Sequence, residues 1–286
     1  MRVLILGARG MLGHTLARVL REEFGYDVVG TARRSETGYL TFDARSGEEG
    51  LRKLLSDVGS VDLIVNCIAT LKADLDSAPA GDVSSLLAIN SRFPHQLAAC
   101  ASEGRIVHVS TDAVFSTDAG EVDEAVSPSP DFSDAYGQSK LEGEISADRA
   151  ITLRCSIIGP DPIKKRGLVE WVRSQAGREI QGFTNQHWVG VTTHQFAQLC
   201  GRLAVEANFR AARSEGPIHH YCPNPPVSKF ELVCRIAEKL DSGTRVRPVE
   251  AGKGVCRFLK SRYKILKALT QIPNSLEEVL KSETWS

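Results

Sequence analysis

A serine, a threonine and an aspartate stand in a row at Ser110-Thr111-Asp112, directly after an apolar run, and Tyr136 and Lys140 follow four residues apart. That spacing is close to one helical turn, so the phenol and the ammonium share a helix face. A phenol, with a pKa of about 10, is a poor acid or base at neutral pH unless a nearby positive charge favours its ionised form. Lys140 supplies that charge. Thr111, at the carboxyl end of a strand, is placed to donate a hydrogen bond to a substrate oxygen and to share its position with Tyr136. A lone Y-x-x-x-K match is most often an ordinary helix-surface pair. Its place after a strand-end Ser-Thr and a glycine-rich first turn, in that order, gives it weight here.

The first turn is Gly7-Ala8-Arg9-Gly10-Met11-Leu12-Gly13, which follows the strand-like run Val3-Leu4-Ile5-Leu6. Gly7 permits a tight turn, Gly10 lets backbone approach a ligand, and Gly13 permits close helix packing. The helix that begins there, with Leu12, Leu16, Val19 and Leu20 as its apolar stripe, offers unpaired N–H groups and the positive end of its dipole. A pyrophosphate, and so a dinucleotide, suits that position. The spacing is G-x-x-G-x-x-G and differs from the commoner G-x-G-x-x-G.

These residues need a scaffold, and the pattern supplies one. Residues 27–31, 39–42, 61–66 and 105–110 read as strands, with helical spacing at 51–58 and 84–101 between them. The acidic, proline-bearing stretch 116–134 reads as a surface loop. Helix resumes over 135–145, and 151–158 reads as one more strand. This alternation predicts an α/β fold, a Rossmann-type doubly wound parallel sheet, with ligands outside the carboxyl ends of the strands. Beyond it a smaller, mostly helical C-terminal substrate lobe is expected. Its helices open at the capping patterns Thr192…Gln195 and Ser228…Glu231, and Ser275 with Glu278 caps a last short one. The division expected is 1–159 for the dinucleotide-binding domain and 160–286 for the substrate lobe, which can return elements to the first domain.

Composition limits the partners. The 286 residues carry 35 Lys plus Arg against 35 Asp plus Glu, so no global charge suits nucleic acid or an anionic membrane. The cysteines at 67, 100, 155, 200, 222, 234 and 256 form no C-x-x-C pair, reading as reduced thiols with no metal site. No stretch approaches a spanning helix and the N-terminus lacks a signal-peptide core, so a soluble cytoplasmic protein is expected. A homodimer is compatible with all of this.

The glycine turn, Asn66-Cys67-Ile68-Ala69, Asn90, Ser110-Thr111-Asp112-Ala113-Val114-Phe115, Tyr136-Gly137-Gln138-Ser139-Lys140 and Arg154-Cys155-Ser156 together resemble the extended short-chain dehydrogenase/reductase superfamily. Within it, the S-T-D-x-V-F run and Gly182-Phe183-Thr184-Asn185 are most similar to the dTDP-4-dehydrorhamnose reductase family. The resemblance covers most of residues 1–220. It implies hydride transfer from a nicotinamide to the C4 ketone of a nucleotide-linked 4-keto-6-deoxy sugar. It also implies that Tyr136 gives its proton to the nascent alkoxide, that Lys140 holds the nicotinamide ribose and tunes Tyr136, and that Thr111 polarises the ketone. Gly7, Gly10, Met11, Leu12, Gly13, Cys67, Ile68 and Ala69 fall at its cofactor positions. Asn90 is a helix residue supporting Lys140 through water or a buried amide satisfying backbone. Two aromatics common in the family are missing: Ala113 stands for the tyrosine of S-T-D-Y-V-F and Ile157 for the tryptophan of R-T-S-W. The hexose is therefore open.

Arg33 and Arg34 end the second strand where NAD enzymes usually carry a carboxylate, and two guanidiniums suit the 2′-phosphate of NADPH. NADPH is favoured with NADH possible; the plainer reading is two solvated turn residues. Asp43-Ala44 resembles the family's adenine contact, and Asp43 equally suits a turn cap. Thr70, Leu71 and Lys72 are expected to line the cleft, with Asp112, Ala113 and Ser156 on the sugar. Lys164, Lys165 and Arg166 are either a diphosphate contact or a solvated loop. Asn185 and Trp188 resemble the nucleotide-facing loop, where Trp188 stacks on a base or packs between lobes. Competing functions are an epimerase or epimerase-reductase, for which Cys67 and Cys155 are the candidate acid/base groups, and a non-catalytic NADP-binding regulatory subunit.

Overall fold

A computed structural model describes residues 1–71, 83–132, 134–270 and 275–285. Seven parallel strands form its centre: β1 (Arg2–Leu6), β2 (Asp27–Ala32), β3 (Leu40–Thr41), β4 (Leu63–Asn66), β5 (Arg105–Val109), β6 (Ala150–Arg154) and β7 (Ile218–His220). In space they run β7-β6-β5-β4-β1-β2-β3. The order reverses at β1, which pairs with β2 on one side and β4 on the other, so a crevice opens there at the strands' carboxyl ends.

Alternation along β1 divides the core into two layers. Val3 and Ile5 point into a cluster built with α1 (Met11–Glu22) and the helix Thr193–Leu203, including Leu16, Leu20, Phe196 and Leu199. Leu4 and Leu6 point the other way, onto Leu51 and Leu54 of α2 (Gly47–Val58) and onto Phe93 and Leu97. Both faces are dry, which is why the strand reads as a continuous apolar run.

Residues 83–100 form one helical path whose middle, Leu87–Arg92, is π-helical. The capping boxes at Thr192/Gln195 and Ser228/Glu231 are present, and the Ser275 side chain accepts from Glu278 N–H. The stretch 151–158 is two strands and not the single one expected. Chain Ala150–Arg154 stays in the main sheet, while Ile157–Ile158 leaves it to pair with Val191–Thr192. Cys155 and Ser156 form the step between them, at the cleft.

The second half is mostly helical, and short strand pairs join its helices. Glu179–Phe183 pairs with Arg245–Val249, and Gly120–Val122, inside the expected surface loop, pairs with Arg257–Leu259. The C-terminal core packs Trp188, Val227, Ile236, Leu276 and Trp285. β7, from beyond residue 160, sits on the edge of the main sheet, and Thr193–Leu203 covers α1, so the chain crosses between the halves more than once.

Candidate active site

The crevice at the strand ends holds a cavity of about 400 Å³. Its walls include Gly10 to Gly13, Cys67 to Ala69, Ser110 to Asp112, Tyr136, Lys140, Ser156 and Ile157. Residues from these five chain segments meet because four of them stand just past the carboxyl end of a parallel strand and the fifth is the helix Ala135–Glu142, which carries Tyr136 and Lys140 one turn apart.

The glycine turn is fixed by its own geometry. Gly7 has φ +84°, a left-handed conformation that favours glycine, and a Cβ on Gly13 would lie 2.3 Å from the Gly7 carbonyl oxygen. Gly7 N–H donates to Thr31 Oγ1 at 3.0 Å, tying the turn to β2. No side chain caps the start of α1 and no acidic residue occupies its first turn. Its N–H groups therefore face the cavity as an anion site.

Lys140 is 2% exposed; its ammonium donates to Val109 O at 2.7 Å and lies 3.5 Å from His108 Nε2. Burial pulls its pKa down to about 8, with Glu144 the main opposing charge. The Tyr136 hydroxyl is hydrogen-bonded to the Thr111 hydroxyl, and burial pushes the phenol up to about 12. This corrects the expectation that Lys140 lowers the phenol in the free chain. Desolvation of a phenolate outweighs the charge, and the ammonium is directed at the Val109 carbonyl.

Thr111 is held from two more sides. Its hydroxyl donates to Asp112 Oδ1 at 3.2 Å and accepts from Ala113 N–H at 3.2 Å. Asp112 in turn receives Arg257, whose Nε and Nη2 lie 3.1 Å from Oδ2 while Nη1 donates to Phe115 O. A residue of the C-terminal half thus fixes the strand-end Thr-Asp, a contact between positions 145 apart that no local pattern announces.

Asn90 sits in the π-helical turn, fully buried. Its amide accepts from Thr70 N–H at 2.8 Å and donates to Thr70 O at 2.9 Å and to Ser139 Oγ at 3.1 Å. It satisfies backbone and braces the Tyr-Lys helix through Ser139. Asn66 carries a parallel role: its Oδ1 accepts from Ile68 N–H and its Nδ2 donates to His108 Nδ1.

Other expected residues lie elsewhere. Arg33 and Arg34 are exposed past β2, where Arg33 helps Arg45 hold the Asp43 carboxyl below its ordinary range. Asp43 caps the turn by accepting from Arg45 N–H at 2.9 Å, and Ala44 is buried behind it. Arg9, within the glycine turn, pairs with Glu36 at 2.8 Å and stacks on Tyr39. Ala113 is buried, its carbonyl against Gly137. Asn185 exchanges two hydrogen bonds with the backbone of Ala251, and Trp188 is buried in the C-terminal core with its indole N–H on Ser156 Oγ at 3.0 Å. Leu71 reaches the cavity wall, as do Lys164 and Arg166, while Lys72 lies outside the described residues.

The doubly wound sheet, the glycine turn at its switch point and the convergent Thr-Tyr-Lys group define an extended short-chain dehydrogenase/reductase. The sequence profile of the RmlD substrate binding domain matches residues 1–271, and the chain belongs to that family. The dTDP-4-dehydrorhamnose reductase of Mycobacterium tuberculosis is 35% identical over 278 residues, covering 93% of this chain and 85% of that one. A probable low-salt glycan biosynthesis reductase of Haloferax volcanii is 34% identical over 206 residues, 65% of each chain. Among solved structures, a dTDP-4-dehydrorhamnose reductase of Clostridium acetobutylicum superposes with a TM-score of 0.76 at 20% identity, covering 98% of this chain and 97% of that one. At that identity the likeness is one of fold.

Proposed function

We propose that this chain reduces the C4 ketone of a nucleotide-linked 4-keto-6-deoxy sugar with NADPH. The observation that carries the reading is the convergence of Thr111, Tyr136 and Lys140 on the cavity that the glycine turn also lines. The relatives with reductase names support it. The turn fits a dinucleotide: uncapped helix N–H groups, no acidic first turn, a Gly7 at positive φ and a Gly13 where a Cβ would collide. Arg33 and Arg34 would hold the 2′-phosphate, with NADH as a weaker alternative.

The bound nicotinamide would supply the hydride. The residues do the rest. Tyr136, held protonated at neutral pH, is the proton donor for the alkoxide that forms, which is far more basic than a phenolate. Thr111 orients the ketone oxygen toward Tyr136. Lys140, buried and cationic below about pH 8, positions the ribose and stabilises negative charge as it develops. An epimerase needs a second acid/base pair. Burial pushes the thiols of Cys67 and Cys155 up, so they stay protonated and make poor bases. Ile157 on the cavity wall, where the rhamnose-forming relatives resembled here carry tryptophan, is the position from which sugar selection would differ.

No helix among the described residues is long and apolar enough to cross a membrane. The seven free cysteines suit a cytoplasmic setting. Self-association to a homodimer belongs to the same reading and is checked by sedimentation equilibrium. The central experiment follows NADPH oxidation with a panel of 4-keto-6-deoxy nucleotide sugars, for the wild type and Tyr136→Phe. The variant should bind NADPH normally and turn over roughly 100-fold to 10,000-fold more slowly, the range for losing a general acid. Cofactor binding without turnover of any sugar, unchanged in Tyr136→Phe, would indicate a regulatory subunit.

A further inference from the structure

The helix Ala135–Glu142 presents more than the Tyr-Lys pair to the strand end. Three consecutive residues leaving β5 are each tied to it: Thr111 to Tyr136, Val109 O to Lys140 at 2.7 Å, and Ser110 Oγ to Glu144 Oε1 at 2.7 Å. Tyr136, Lys140 and Glu144 are spaced i, i+4 and i+8, so they form one stripe, carried past the helix end by the bond from Glu144 N–H to Leu141 O. Glu144 is itself gripped by Arg154 of β6, whose Nε and Nη2 donate at 2.8 and 2.7 Å; the two side chains are 4% and 5% exposed. Arg154 Nη1 meets His220 Nε2 at 3.3 Å and its guanidinium lies over the Phe115 ring.

We propose that Glu144, clamped by Arg154, is a positioning residue that sets the strand end against the Tyr-Lys helix and serves as the buried counter-ion of Lys140. It rests on the reading of Tyr136 and Lys140 as the reacting pair.

The charge count supports this. Lys140 and Arg154 are two buried cations, and Glu144, four residues past Lys140 on the same stripe, is the carboxylate that receives Arg154. Of the other groups facing Lys140, His108 on β5 is kept neutral by burial and by the ammonium itself, and Cys155 on β6 and Cys67 after β4 are kept as thiols by burial. Glu144 is the first among the charges that oppose the burial of Lys140. A buried ion pair seldom adds net stability over an apolar pair of the same volume. Its place beside the reacting helix is explained by what the charge does for Lys140.

Two variants separate this role from simple packing. Removing the negative charge in Glu144→Gln takes away the carboxylate that opposes the burial of Lys140 and moves its titration downward. Replacing the competitor in Arg154→Met leaves Glu144 to Lys140 alone and moves it upward. Lysine labelled at Cε with ¹³C gives a direct reading by NMR, with Lys140→Met identifying the resonance. The wild-type signal should titrate near pH 8, with shifts of about one unit in opposite directions in the two variants. Ser110→Ala, which cuts the stitch and keeps the charges, should leave the titration unmoved and lower kcat/KM.

Titrations that stay together in the wild type, Glu144→Gln and Ser110→Ala overturn the counter-ion role, even if Arg154→Met does not fold. Because the NMR reading needs no turnover, a wild type inactive on every sugar would sink the reductase reading while leaving this test decided.

Discussion

Gly137 follows the tyrosine directly, and the space around it is smaller than a methyl group. A Cβ built there lies 2.3 Å from the Ala113 carbonyl oxygen, about 1 Å inside ordinary contact, and 3.3 Å from Pro130. The obstacle is backbone, one residue beyond Asp112, so it cannot swing aside as a side chain would. Gly137→Ala must therefore push the Tyr136 helix away from the Thr111-Asp112 turn by roughly that distance. Overpacking of this kind costs about 1–3 kcal/mol, offset by about 1 kcal/mol of helix propensity gained by alanine over glycine. The melting temperature should fall by only a few degrees. Catalysis should suffer more, since about 1 Å of misplacement between reacting groups is worth roughly 100-fold in rate. The assay is kcat/KM by NADPH oxidation alongside thermal unfolding, with the exposed neighbour variant Gln138→Ala as control. A Gly137→Ala enzyme within threefold of wild type would refute the argument that close backbone approach sets the Tyr136–Thr111 geometry. Equal loss of NADPH affinity and turnover would point to a disrupted fold instead.

Replacing both Arg33 and Arg34 with alanine should weaken NADPH by up to a few kcal/mol and leave NADH nearly unchanged, because charge-assisted contacts to the 2′-phosphate are absent with NADH; equal losses by fluorescence titration would reject those contacts. Lys140 carries a pH signature in the cofactor-free protein. Its folded pKa, about 8, lies below its ordinary 10.5, so the unfolded chain binds the extra proton between these values. Wild-type stability should therefore gain on Lys140→Met as pH rises from 8 towards 10.5, by roughly 3 kcal/mol at most. Parallel urea-unfolding curves for the two proteins across pH 7–10 would contradict the burial of a protonated lysine. Finally, Asn90→Ala should leave the Thr70 N–H and carbonyl unpaired and loosen Ser139, costing about 1–3 kcal/mol of stability. Asn90→Asp should recover less of it than an isosteric change normally would, since an ionised carboxylate cannot donate to Thr70 O. Chemical denaturation of both variants measures this.

The first half of the chain was legible because its signals are local. Apolar runs, helical stripes and capping patterns sit within a few residues of each other, and a parallel sheet buried on both faces has little freedom in how it reads. The same locality singled out Gly10, Gly13, Thr111, Tyr136 and Lys140, which line one cavity. The short strand pairs that tie distant segments together were not legible. Gly120–Val122 finds its partner at Arg257–Leu259 and Glu179–Phe183 at Arg245–Val249, and such pairings are selected by tertiary contact, leaving little trace in a window of ten residues.

What the sequence determined by itself is which residues exist and how they are spaced: a tyrosine and lysine on one helix face, a turn with glycine at every third position, and arginines after the second strand. Only the tertiary structure decided their charge states and supports. Burial drives Lys140 down and Tyr136 up, and burial is a property of the whole packing. The clamp on Thr111 comes from Arg257 and that on Ser110 from Glu144 with Arg154, residues joined by the sheet and the returning C-terminal half. Spacing fixes which groups can share a helix face; desolvation and the counter-ions brought from distant strands fix what those groups can do once there.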